Sequence, residues 1–117
     1  MRPVDFSRDR AEPITEFGSA AATSVPLGSG EGEAHVYCVH FEPGGVIGPH
    51  PAGFGQLFLA IAGEGWAAGA DGVRVSLAAG RGVYIERGER HSKGSDSGMT
   101  AIMVQVERLE PSEVSTR

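Results

Sequence analysis

PGGVIGPHPAGFGQ, residues 43–56, carries one histidine, His50, held between Pro49 and Pro51, with Gln56 six residues on. Pro51 removes a ladder donor, which puts residues 50–52 at the mouth of a β structure and not in mid-sheet. Pro43-Gly44-Gly45 and Gly48-Pro49 turn the chain sharply toward the strand that follows. That strand is QLFLAIA, 56–62, and it is mostly apolar at both parities, as is AIMVQV, 101–106. A strand with one wet face alternates, so these two are covered on both faces. A small sandwich or barrel supplies one cover. The second is expected from another subunit docking on Leu57, Leu59 and Ile61, or from a terminal segment folding back over them. The first option predicts a homodimer.

Working outward, no window of a dozen residues shows a helical stripe. Short apolar runs bounded by Gly, Pro, Asp or Ser recur instead, and 18 glycines and 7 prolines supply the punctuation. Strands are predicted near 14–17, 21–25, 34–41, 56–62, 65–68, 73–77, 82–85, 92–94 and 99–106. Turns fall at Gly69-Ala70-Asp71-Gly72 and Ser95-Asp96-Ser97-Gly98. The glycine-rich run 28–32 lacks a following Lys-Ser/Thr and a helix, so it reads as a hairpin connection and not a phosphate loop. The expected organisation is an N-terminal arm over 1–12, one domain over 13–107 and a loose tail over 108–117.

A formal charge of −5 argues against nucleic acid and anionic membranes as partners. Cys38 is the only cysteine, which excludes an internal disulfide and a Cys-based zinc site, and reads as a small core residue. The charged start MRPVDFSRDR has no apolar h-region, and no stretch approaches the ~20 apolar residues of a membrane span. A soluble cytoplasmic protein is expected.

Chemistry falls to four histidines. His35 and His40 lie at opposite parity on one strand and face opposite sides of the sheet, each readable as an ordinary strand-surface histidine. His50 and Gln56 share a face if the chain between them is extended, and Ser76 and Lys93 offer nothing comparable. His91 begins a strand after Gly88-Glu89-Arg90. His50, Gln56 and His91 converging from adjacent β segments would make a three-ligand metal site, with His40 a candidate fourth donor. Two unrelated polar histidines near turns is the competing reading. Phe58 and Ala60 share the face of Gln56 and are the expected pocket walls. Tyr84 shares the parity of Glu86. Glu86 or Glu89 could orient His91 by accepting its N–H, against the alternative that both are solvated turn carboxylates.

Two spacings carry a resemblance. Gly44 is followed after five residues by His50, then Pro51 and Ala52, three residues, Gln56, six residues and Gly63. Gly80 is followed after five residues by Glu86, Arg87 and Gly88, two residues, His91, three residues and Ser95. This resembles the paired motifs of the cupin superfamily, which implies a double-stranded β-helix, or jelly-roll, barrel. Metal-binding cupins use two histidines and a glutamate of the first motif and the histidine of the second. Here Ala52 replaces one histidine and Gln56 the glutamate. The resemblance therefore implies a reduced His50, Gln56, His91 site for a divalent transition metal (Zn, Ni, Cu, Mn or Fe). It also implies an apolar cavity for a small organic molecule. Three functions follow: a metal-dependent enzyme, a metal-free histidine acid–base isomerase with Tyr84 or Glu86 assisting, or a binding or sensing module.

Overall fold

The computed structural model describes residues 1–117 and is almost wholly antiparallel β. Its strands are β1 (Arg2–Asp5), β2 (Glu12–Pro13), β3 (Thr23–Ser24), β4 (Gly28–Phe41), β5 (Val46–Pro51) and β6 (Gly55–Ala68). They continue with β7 (Arg74–Ala78), β8 (Arg81–Ile85), β9 (Arg90–Gly94) and β10 (Met99–Pro111), before a short helix α1 (Glu113–Thr116). One sheet runs β1-β8-β6-β10-β4, while the second half of β6 pairs with β7 and β9, and β9 pairs with β5. The long β6 thus belongs to both walls and bends the sheet around a single interior. The bend falls at a bulge: Thr100 opposes Ala62 and Ala101 opposes Ala60, leaving Ile61 extra and half-exposed.

The framing glycines hold the corners. Gly44, Gly63, Gly80 and Gly88 all have positive φ, the region that L side chains avoid. At Gly63 a Cβ would also lie 2.2 Å from the carbonyl oxygen of Gly98.

Inside the barrel Phe41, Phe58, Ala60, Leu77, Val83, Ile85, Met99 and Ala101 form the main core, joined by Ala52. Phe58 and Ala60, expected as pocket walls, are fully buried members of this packed core. Outside it, Leu57 and Leu59 pack with Val4 and Tyr84, flanked by Phe6, Leu27, Val104 and Leu109. The chain itself supplies the second cover of β6. The arm expected over 1–12 contributes β1, paired with β8, and the tail expected over 108–117 continues β10 to Pro111. Covered leucines remove the ground on which a homodimer was expected.

Two local expectations also change. The run 28–32 is the start of β4, with residues 28–31 paired to 108–111 of β10. The segment 14–17 is no strand: Phe17 and Gly18 both have positive φ and turn the chain, leaving Phe17 exposed.

Candidate lysine–histidine site

Strand pairing decides which side chains face inward. His50 and His91 are direct cross-strand partners of β5 and β9, and their ring centroids are 4.5 Å apart. Both Nδ1 atoms are satisfied by the backbone: that of His50 donates to the Gly48 carbonyl at 2.8 Å, that of His91 to the Glu89 carbonyl at 3.1 Å. With Nδ1 carrying the proton, each neutral ring presents an Nε2 lone pair. His91 is 0 % exposed, and its Nε2 is the one buried side-chain polar atom without a partner. Burial, together with the nearby charges of Lys93 and His50, lowers its pKa from the ordinary value.

Two residues on from His91, and so on the same face of β9, stands Lys93, 1 % exposed. Its Nζ donates to Gln56 Oε1 at 2.5 Å, lies 3.4 Å from Met103 Sδ and stands 4.8 Å over the Phe58 ring. None of these partners is an anion. Burial alone lowers its pKa from 10.5 to about 8. Lys93, expected to offer nothing to the site, is the most unusual ionisable group in the molecule. A signal was present: it is the chain's only lysine, every other one of the ten Lys and Arg residues being arginine.

The remaining expectations sort by parity. His40 does not reach the site: Phe41, its neighbour on β4, is the inward residue, so His40 faces out and contacts Thr100 at 3.2 Å and Cys38 at 3.7 Å. Cys38 is likewise exposed and not in the core. The histidine on the inward parity is His35, exposed and stacked against Tyr37 and Phe54. Tyr84 faces the outer cluster, because Val83 and Ile85 on either side fill the interior. Burial and the Glu86 charge push its phenol up, away from acid–base use. Glu86 is exposed at the turn, where its N–H donates to Glu89 Oε1 at 3.0 Å. Glu89 does orient His91, but through its backbone carbonyl; its carboxylate also meets the Met1 amino group.

A divalent ion does not fit these residues. No three His, Cys, Asp or Glu side chains come together to hold one. Ala52 is buried apolar core, and the Gln56 oxygen, the third expected donor, is held by an ammonium. Two unit charges 4 Å apart at an effective dielectric of 20 repel by about 4 kcal/mol, and a divalent ion against Lys93 by about twice that. The arrangement instead offers a buried amine, a free imidazole nitrogen and a second imidazole at the rim.

Comparison with solved structures agrees with the architecture. A cupin-like protein from Thermotoga maritima superposes with a TM-score of 0.60 at 24 % identity, over 68 % of this chain and 64 % of that one. An RmlC-like cupin from Shewanella frigidimarina gives 0.59 at 21 % identity, over 64 % and 67 % of the two chains. A protein with a double-stranded β-helix domain from Klebsiella pneumoniae gives 0.59 at 19 % identity, over 92 % of this chain and 98 % of that one. This chain has the cupin fold. No family model matches the sequence, and no curated protein does.

Proposed function

We propose that this cupin barrel binds a small organic anion through Lys93, His91 and His50, without a divalent metal. The observation that carries the reading is the Lys93–Gln56 hydrogen bond. It supplies a positive charge beside the amide oxygen that stands where the metal-binding motif has its glutamate. A buried ammonium with no anionic neighbour is costly, and a carboxylate entering from the rim would offset that cost. The unpartnered Nε2 of His91 supports a second role, transfer of a proton to or from the bound molecule. Binding alone and proton-transfer catalysis are separated by whether the bound compound is converted. A homodimer stays with the proposal on a new ground: β4 is a fourteen-residue edge strand with Val36 and Tyr37 exposed. A cytoplasmic location is part of the same proposal; no helix is long and apolar enough to cross a membrane.

Differential scanning fluorimetry with pyruvate, lactate, Zn²⁺, Ni²⁺, Cu²⁺ and Mn²⁺, alongside metal analysis of purified protein, tests the reading. A ligand at ten times its Kd stabilises by about 1.4 kcal/mol, a rise of several degrees in Tm. We expect that rise from a carboxylate, its loss in Lys93→Met, and none from the metals. One equivalent of co-purifying transition metal, with a metal-induced rise abolished by His50→Ala, would overturn it.

A further inference from the structure

The choice of lysine at position 93 goes beyond charge. Elsewhere this chain builds every basic side chain from arginine, as in the surface pairs of Arg81 with Asp5 and Arg108 with Glu107. An arginine remains protonated in proteins, whereas a buried lysine can release its proton and act as a nucleophile. At the one position where lysine is used, the amine is enclosed by Phe58 and Met103, with no anion to hold its charge. A buried cation with no counter-ion carries a desolvation cost that a packed apolar side chain would avoid. Gln56 Oε1 accepts one N–H and so fixes the direction of the amine. His91, on the same face of β9, offers a buried nitrogen that nothing in the protein engages.

We propose that Lys93 Nζ condenses with the carbonyl of a small oxo acid to form an imine, with His91 Nε2 relaying the protons. This rests on the metal-free binding reading and names its substrate class. The neutral amine attacks the carbonyl carbon; the C–N bond forms and the carbonyl π pair moves to oxygen. His91 takes the proton released from nitrogen, and the oxygen is protonated to give a carbinolamine. A proton from solvent on that hydroxyl expels water as the nitrogen lone pair closes the C=N bond, and the proton left on the iminium nitrogen passes to His91 Nε2 and back to solvent. The balance is one carbonyl and one primary amine giving one imine and one water, with no change in oxidation state. The carbonyl of the oxo acid answers the neutral amine, and the protonated imine it first forms carries the positive charge that the adjacent carboxylate offsets. Tyr37 and His50 are exposed, and half-buried Met103, with three rotatable bonds, is the flexible neighbour of the amine through which a substrate would have to enter.

The test is reductive trapping. The full chain is incubated with pyruvate and sodium cyanoborohydride, then examined by intact mass and peptide mapping, with lactate as the non-carbonyl control. One reduced adduct on Lys93 is expected, absent with lactate and absent in Lys93→Arg, which keeps the charge and cannot condense. Lys93→Met, closer in volume to the lysine stem, gives the same readout if the arginine variant fails to fold. His91→Gln should slow trapping by about 10²-fold, the typical contribution of a positioned proton-transfer group. Adduct confined to the terminal amine, or trapping equally fast in His91→Gln, would overturn the respective part. A pyruvate-induced rise in Tm without any adduct on Lys93 overturns the imine and leaves the binding reading standing. Neither a rise nor an adduct overturns both.

Discussion

Replacing Lys93 by methionine isolates the cost of the buried amine. In the folded chain its pKa lies at about 8, against 10.5 ordinarily, because burial disfavours the charged form. Between those values the unfolded chain binds the proton and the folded chain does not, so stability rises with pH through that window. At about 1.4 kcal/mol per pH unit, the full difference is about 3 kcal/mol, of which about 2.5 kcal/mol is recovered between pH 7 and pH 10. Lys93→Met removes this dependence but leaves Gln56 Oε1 without its donor, a loss of about 2 kcal/mol. The variant should therefore be more stable than the parent by about 1 kcal/mol at pH 7 and less stable at pH 10. Urea unfolding of both proteins at pH 7, 8, 9 and 10 measures this, other titrations cancelling in the difference. A difference that stays flat across the series would refute the placement of this amine in a dry, anion-free interior.

Acidification engages the other buried base. His91 has its pKa lowered, so the unfolded chain takes up its proton first and stability is lost as pH falls below the ordinary value of 6.5. His91→Gln should flatten that loss in urea titrations between pH 7 and pH 5. Leu57→Ala, 3 % exposed under β1, should cost about 2–5 kcal/mol in chemical denaturation and loosen protease protection of β1. His40→Ala and Tyr84→Phe should leave carboxylate binding within twofold by calorimetry, since both side chains face away from the interior.

The frame of the fold was legible because it depends on backbone conformation. Gly44, Gly63, Gly80 and Gly88 mark corners that need positive φ, and their spacing brings β5 beside β9. That pairing is what unites His50 and His91. Parity along a strand was equally readable but needed an anchor: Phe41 and the apolar pair Val83 and Ile85 identify the inward sides of β4 and β8, which turns His40 and Tyr84 outward. The cover over Leu57 and Leu59 stayed open between a partner subunit and a terminal segment, because it depends on β1 pairing with β8, a contact about eighty residues apart in sequence. Lys93 was hidden by type, a lysine ordinarily being a solvated residue. Its inward parity with His91 was available from the sequence alone.

Because the single lysine lies within the barrel, the folded surface presents no ε-amino group. Enzymes that acylate or conjugate lysine side chains would find no acceptor on the native chain, whatever its concentration. A lysine-specific protease has one cleavage point, inside a paired strand, and can reach it only after β9 detaches. Its cutting rate is thus a built-in gauge of how often β9 separates from its neighbours, readable on a gel from two fragments of fixed size.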